Sequence, residues 1–253
     1  MKIDLTGKIA LVTGAAGQLG RTMARTLAEC GADVAIHYNS SAAKALELRG
    51  ELTAMGRRAI AVQADITDEQ SVLAMRDKIA AELGHPDIVV ANAVAQYKWT
   101  TVLEQDGADY ESQFRTCVLQ NVYLSQAFVP HMVQQRGGRY IGINTECSLE
   151  KLPTQSAYIA GKRGMDGVLQ VLAKEVGMHQ VTVNQIAPGW TISDNDRQNG
   201  TERSEEYEKR VPMARRGTDQ EIANAVAFLA SDLSSFITGA FLPVCGGKAT
   251  VGI

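Results

Sequence analysis

The chain has 253 residues, 45% of them hydrophobic and 21% charged, enough apolar material for a large core without disulfides or metal staples and too much for a disordered chain. A net charge of −3 with no Lys/Arg cluster argues against a nucleic-acid surface. Four scattered cysteines (Cys30, Cys117, Cys147, Cys245) form no C-x-x-C pair, and the four histidines show no ligand spacing, so neither a disulfide framework nor a metal site is expected.

From the N-terminus, no basic region and apolar stretch of a signal peptide appears, and no apolar run reaches spanning length; a cytoplasmic protein with no membrane partner is expected. Ile9 to Val12 reads as a buried strand, followed by a helix from Gly20 to Glu29 that Gly31 stops. Val34 to Ile36 is a second strand. Ser41 to Met55 is helical and ends at Gly56. Ala59 to Val62 is a third strand, Asp68 to Leu83 a helix that Thr67 caps, and Asp87 to Ala91 a fourth strand. A long helix covers roughly Tyr110 to Gln135, then strand Arg139 to Asn144 and a helix over roughly Thr154 to Gly177. Val181 to Ile186 is the sixth strand. The polar stretch Asp194 to Lys209 reads as a mobile insertion, Asp219 to Ser231 as the last helix and Phe241 to Val244 as a short last strand. Strands alternating with helices, the strands nearly continuous in apolar residues, predict an α/β fold: a doubly wound parallel sheet covered on both faces. No low-complexity linker cuts the chain, so residues 1–253 are expected to form one domain.

Thr13-Gly14-Ala15-Ala16-Gly17-Gln18-Leu19-Gly20 joins the first strand to the first helix. Glycines there let backbone approach a pyrophosphate seated on the helix N-terminus, where N–H groups lack partners. A glycine triplet is weak alone; its place between strand and helix strengthens it. With Asp65, Asn92, Tyr158-Ile159-Ala160-Gly161-Lys162 and Pro188-Gly189 in that order, the chain resembles the short-chain dehydrogenase/reductase family, in its shorter single-domain type. The resemblance implies a Rossmann sheet of about seven strands with NAD or NADP across the strand ends. It places Gly14, Gly17, Gln18 and Leu19 at the phosphates, Asp65 and Ile66 at the adenine, Asn92 and Ala93 at the adenosine ribose, and Pro188, Gly189 and Ile192 at the nicotinamide. Three departures stand out: Gln18 where the family commonly has Gly, Ala91-Asn92-Ala93-Val94 in place of N-N-A-G, and Cys117 where the family has an Asn.

The end of the second strand bears on the choice of cofactor. NAD-selective enzymes place a carboxylate there for the ribose 2′-hydroxyl. Here the segment reads Ile36-His37-Tyr38-Asn39-Ser40-Ser41; Asn39, Ser40 and Ser41 offer donors to a 2′-phosphate, and Lys44 follows. No Arg does. NADP(H) is favoured, with NAD(H) the alternative.

Tyr158 and Lys162 stand at i and i+4 on a predicted helix and share a face. Such a pair supplies an acid that protonates a carbonyl oxygen as hydride arrives. A free phenol titrates near 10, and moving it to about 7 takes about 4 kcal/mol, which a Lys ammonium about 4 Å away supplies at an effective dielectric of about 20. By resemblance Lys162 also holds the nicotinamide ribose. At the family's Ser position this chain has Thr145, whose hydroxyl can hydrogen-bond a substrate oxygen; Ser148 is the alternative. Asn121, one turn beyond Cys117, is a candidate to replace the family's relay Asn. Cys147 is expected to be a small buried residue rather than a reactive thiol.

The reading is therefore an NADP(H)-dependent oxidoreductase acting on a ketone or 3-oxoacyl-type carbonyl, or on the matching alcohol, with a substrate lid over roughly residues 190–215. Trp190 and Tyr207 are candidates to flank the pocket, Arg136 and Arg139 to meet a carrier-linked substrate at its mouth. The mixed charge of Glu202, Arg203, Glu205, Glu206, Glu208, Lys209 and Arg210 suggests a solvated helix. Two other classes stay open: a nucleotide-binding regulator or scaffold that has lost turnover, and an NAD-recycling epimerase or dehydratase. A homotetramer or homodimer is implied by the resemblance alone.

Overall fold

The computed structural model describes residues 2–250. Its first half runs β1 (Ile9–Val12), α1 (Gln18–Glu29), β2 (Asp33–Tyr38), α2 (Ala42–Ala54), β3 (Ala59–Gln63), α3 (Glu69–Glu82), β4 (Ile88–Ala91) and α4 (Gly107–Gln113). A π-helical turn, Phe114–Leu119, leads into α5 (Gln120–Gln134). The second half runs β5 (Gly138–Ile143), the one-turn α6 (Cys147–Glu150), α7 (Ser156–Val176), β6 (Val181–Pro188), α8 (Asp194–Asn199), α9 (Glu205–Glu208), α10 (Asp219–Ala230) and β7 (Phe241–Val244).

The strands form a seven-stranded sheet in the order β3-β2-β1-β4-β5-β6-β7, and every pairing is parallel. Parallel strands need helical crossovers, which cover both faces and account for the unbroken apolar runs. Two packed layers result. On one face Val12, Ile36 and Val90 meet Leu27, Leu48 and Val226; on the other Leu11, Val89 and Tyr140 meet Ile79, Leu124 and Leu169. Adjacent residues of one strand enter opposite cores, as the two-residue period of a strand requires. The sheet order reverses direction between β1 and β4, the crevice where open α/β sheets bind ligands.

Several boundaries differ from the sequence reading, each for a local reason. The cap of α3 is Asp68, whose carboxylate accepts from the amides of Gln70 and Ser71, while the Thr67 hydroxyl donates to Asp65. Thr154 has φ +68° and cannot belong to a right-handed helix, so α7 begins at Ser156. The expected long helix is interrupted by the π-helical turn. The stretch from Asp194 is built into α8 and α9. Arg216, 2% exposed, pins it by donating to the carbonyls of Thr191 and Thr201 and to Asp196, while its guanidinium lies 4.1 Å from the Trp190 ring. Glu208 is not solvated either: it is buried and takes a bidentate contact from Arg203.

Candidate active site

The C-terminal ends of the strands share one edge of the sheet, and two clefts open there. The first, of about 480 Å³, is lined along one wall by Gly14, Gly17, Gln18 and Leu19, and along the other by Asn39, Ser40, Asp65, Ile66, Asn92 and Ala93. Every residue expected at the pyrophosphate, adenine and adenosine ribose therefore faces one groove, which Val94 also lines.

Tight backbone packing makes this groove. Gly14 has φ +63°, and a Cβ on Gly20 would sit 2.3 Å from the Gly14 carbonyl oxygen; glycine is required at both. The Thr13 hydroxyl accepts from the amides of Asn92 and Ala93 at 2.9 and 3.0 Å, and the Asn92 side chain donates to the Thr13 carbonyl, bracing β4 against β1. Sequence reasoning passed over His37. It is 1% exposed; its Nδ1 accepts from the Gly14 amide and its Nε2 donates to the Ala64 carbonyl, both at 3.0 Å. Burial pushes its pKa down, so the neutral ring shapes the glycine loop. A His ending an apolar strand beside a glycine loop was the only available signal.

No side chain caps α1, and its first turn holds no acid; α2, which starts after Ser41, is likewise uncapped and free of acid there. Two helix N-termini thus aim positive ends at the groove, one at the glycine loop and one beyond Asn39 and Ser40. These residues fit a dinucleotide whose pyrophosphate lies at the glycine loop. Gln18, rather than obstructing the loop, reaches across to donate to the Ile192 carbonyl at 2.7 Å. An Arg21–Asp194 ion pair ties the same two segments.

The second cleft, of about 400 Å³, meets the first at Ala95 and Gln96 and is lined by Thr145, Glu146, Tyr158, Gly189 and Trp190. Tyr158 is held by α7, its amide donating to the Tyr97 hydroxyl at 2.8 Å, and its ring stacks near Trp99 with centroids 6.3 Å apart. Thr145 lies just past β5; its hydroxyl accepts from the Cys147 amide at 3.2 Å and lowers the pKa of the neighbouring Tyr158 phenol. Ser148 does not face the cleft: it is fully buried and donates to Asn144 at 2.7 Å. Lys162 is 3% exposed, donates to the Ile143 carbonyl at 2.5 Å and stands 5.8 Å from the Tyr158 ring centroid. Pro188 accepts from the Glu146 amide, and Gly189 packs so closely that a Cβ would meet the Tyr207 hydroxyl at 2.7 Å.

Burial moves the two central groups in opposite directions. It pushes the Tyr158 phenol well above its ordinary value, with the nearby Thr145 hydroxyl lowering it, and pushes Lys162 down. Each is thereby driven towards its neutral form. The sequence reading set the ammonium about 4 Å from the phenol; the structure puts it 5.8 Å from the ring centroid. At about 6 Å and an effective dielectric of about 20, the attraction of an ammonium for a phenolate is about 3 kcal/mol. The site therefore suits a neutral phenol that gives up its proton to a developing alkoxide, the lysine stabilising the phenolate that results.

Asn121 is not available to relay protons. Its amide donates to the Cys117 carbonyl at 2.6 Å and accepts from the Tyr140 hydroxyl at 2.8 Å. Cys117 is buried, its thiol pushed up by burial and down by nearby Lys162. Cys147 lines the second cleft with its thiol pushed up by burial, hence protonated and unreactive. Arg136 and Arg139 lie at the opposite edge of the sheet. Arg139 is the second residue of β5, about 20 Å of strand from Thr145 at about 3.3 Å per residue, and pairs with Asp232. Trp190 and Tyr207 do flank the cleft, edge to face at 5.4 Å. Glu146, Gln155, Tyr97 and Trp99 also line it and were missed, because loop residues carry no periodicity.

Among the described residues, no group of three or more His, Cys, Asp or Glu is placed to hold a metal, and no helix is long and apolar enough to cross a membrane.

A family model described as enoyl-(acyl carrier protein) reductase matches residues 14–249. The 3-oxoacyl-(acyl-carrier-protein) reductase of Staphylococcus aureus is 34% identical over 250 residues, covering 95% of this chain and 97% of the relative. The 2-dehydro-3-deoxy-D-gluconate 5-dehydrogenase of Escherichia coli is 32% identical, covering 96% of each. A crystal structure assigned as a gluconate dehydrogenase from Agrobacterium tumefaciens superposes over 100% of both chains with a TM-score of 0.91 at 26% identity.

Proposed function

The chain belongs to the short-chain dehydrogenase/reductase family and is an NAD(P)-dependent oxidoreductase of carbonyl and alcohol groups; on that premise we propose that it reduces a ketone or 3-oxoacyl-type carbonyl to a secondary alcohol, or runs the reverse, using NADP(H) with Tyr158 as acid/base. The observation that carries the reading is the pairing of Tyr158 and Thr145 in a substrate-sized cleft, with Lys162 buried 5.8 Å from the Tyr158 ring, beside a nucleotide-sized groove that the cleft meets at Ala95 and Gln96.

The nicotinamide, when bound, supplies or accepts the hydride. Thr145 and Tyr158 both present hydroxyls to a substrate oxygen, so the carbonyl is oriented by two hydrogen bonds. In reduction Tyr158 donates its proton to that oxygen, and its buried phenol is already in the protonated state the step requires. Lys162, fixed by the Ile143 carbonyl, stabilises the phenolate left behind. In oxidation the same proton returns from the alcohol to Tyr158. Asn92 and Ala93 would hold the adenosine ribose, Asp65 and Ile66 would face the adenine, and Pro188, Gly189 and Ile192 would border the nicotinamide.

NADP(H) is supported by the absence of any carboxylate in Tyr38-Asn39-Ser40-Ser41 and by the uncapped N-terminus of α2 beside it. The groove lining contains no Lys or Arg, so backbone and hydroxyl donors, rather than an ion pair, would bind the 2′-phosphate. We assign the whole chain to one catalytic unit, with residues 190–215 as its substrate lid, acting as a homodimer or homotetramer on a small-molecule substrate. The test is titration with both nucleotides, followed by a panel of ketones, 3-oxo esters and sugars scored by oxidation of NADPH and of NADH. Turnover of at least one carbonyl, faster with NADPH, is expected; tight nucleotide binding without net turnover would instead indicate a regulator or a cofactor-recycling enzyme.

A further inference from the structure

The helix that carries Tyr158 starts without a cap of its own. α7 begins at Ser156, and Gln155 before it makes no side-chain cap. Tyr158 is the third residue of the helix, one of the positions whose amide lies ahead of the intrahelical ladder. That ladder opens at Ile159, whose amide donates to the Gln155 carbonyl at 2.9 Å. The first turn is tied down from outside instead, by the hydroxyls of two tyrosines. The Tyr97 hydroxyl accepts from the Tyr158 amide at 2.8 Å, and the hydroxyls of Tyr110 and Ser156 are hydrogen-bonded at 2.7 Å.

The segment carrying Tyr97 is built to hold this contact, although residues 95–105 form no helix or strand. Its start is anchored by the fully buried Gln113, whose side-chain amide donates to the Ala95 carbonyl at 3.0 Å. Gln113 in turn packs against α7, where a Cβ on Gly161 would lie 2.8 Å from the Gln113 carbonyl oxygen. Further along, the Gln105 side chain closes the segment on itself. It accepts from the Thr100 amide and hydroxyl at 3.0 and 3.1 Å and donates to the Lys98 carbonyl at 3.2 Å. Trp99 lies between these ties, its ring stacked near that of Tyr158.

We propose that Tyr97 is a positioning residue: its hydroxyl fixes the backbone of Tyr158 and so sets where the phenol stands against the substrate carbonyl. This rests on the reading of Tyr158 as acid/base and adds to it. A helical side chain leans back over the turn before its own Cα, so the phenol moves with the first turn of α7. Proton transfer is sensitive to such movement, and a misplacement of about 1 Å costs about 100-fold. A hydrogen bond that removes this freedom acts on the rate of the chemical step and not on affinity. Tyr97 and Trp99 also line the cleft, so a substrate seated there rests on the segment that positions the acid.

The test compares Tyr97→Phe with Tyr110→Phe in the full-length enzyme. Each keeps its ring and deletes one hydroxyl bonded to the first turn of α7, but only Tyr97 holds Tyr158 itself. Reduction of a reactive ketone is followed by oxidation of NADPH, in the steady state and in single turnover. Tyr97→Phe should lower kcat and the single-turnover rate about tenfold, with ketone KM and NADPH affinity changed less than about threefold. Tyr110→Phe should stay within about twofold of wild type in all of these, while its urea midpoint shifts as much as that of Tyr97→Phe. Hydrogen exchange read by NMR needs no turnover: the Tyr158 amide should exchange about tenfold faster in Tyr97→Phe and at the wild-type rate in Tyr110→Phe. An unprotected Tyr158 amide in the wild-type enzyme would already overturn the contact. Equal losses of rate in the two variants would make both tyrosines braces of α7 and overturn the positioning role. Wild-type turnover by Tyr97→Phe beside an inactive Tyr158→Phe would overturn it too and leave the reductase reading standing. Wild-type turnover by Tyr158→Phe would overturn the reading of Tyr158 as the acid, and the positioning role with it.

Discussion

Lys162→Met removes the buried ammonium near Tyr158 and keeps an unbranched side chain in its place. The ammonium stands 5.8 Å from the phenol ring centroid; at an effective dielectric of about 20 that distance corresponds to about 3 kcal/mol of preference for the phenolate, or about 2 pKa units. In alcohol oxidation Tyr158 must be a phenolate to accept the proton, so the rate rises with pH through its pKa. The variant should move that rising limb about 2 units upward and slow oxidation about 100-fold below it. The assay is kcat/KM against pH, followed by formation of reduced nicotinamide. Loss of a ribose contact would weaken the nucleotide equally at every pH and leave the limb in place, so the two roles of Lys162 separate. Lys162 is 3% exposed, and replacing a buried charge by an apolar chain offsets the lost bond to Ile143, so stability should stay within about 1 kcal/mol. A limb at the wild-type position in a folded variant would refute the electrostatic role.

His37 carries a pH dependence of stability. Its folded pKa is pushed down by burial, so the unfolded chain binds the proton more readily; its contribution is complete above about pH 7.5 and is lost as pH falls through the unfolded value of about 6.5, by up to about 1.4 kcal/mol per unit. Urea unfolding should show this slope between about pH 7 and 5.5 and show it diminished in His37→Leu; an undiminished slope contradicts the assignment. Arg216→Met strands the carbonyls of Thr191 and Thr201 together with Asp196 and should cost about 3–5 kcal/mol in urea unfolding while exposing residues 190–215 to protease; unchanged stability and cleavage would show that this guanidinium does not hold the lid. Ser40→Asp puts a carboxylate where a 2′-phosphate would lie and should lower kcat/KM for NADPH relative to NADH by about tenfold or more; an unchanged ratio would remove the 2′-phosphate from that position.

The sheet was legible because its physics is local to each segment. Runs such as Ile9 to Val12 and Ile88 to Ala91 are apolar throughout because both faces are covered, and Gly14, Gly17 and Gly20 mark the one loop where backbone must pack on backbone. What escaped depends on partners distant in sequence. Asn121 looked free on its helix, yet Tyr140 from β5 occupies it. Arg136 and Arg139 followed a helix facing the right strand, but a strand has two ends and they sit at the wrong one. The π-helical turn at Phe114–Leu119 leaves no break in the hydrophobic pattern. Glu146 and Gln155 precede and follow a turn with no period at all, and only the folded chain brings them to the cleft.

The central claim is that one phenol moves the proton. Tyr158→Phe keeps the ring that stacks near Trp99 and deletes only the hydroxyl. Single-turnover oxidation of NADPH by a reactive ketone, measured beside NADPH affinity, should fall by about 100- to 10,000-fold with affinity changed less than about threefold. A variant that turns over at the wild-type rate would place the acid elsewhere and contradict the account.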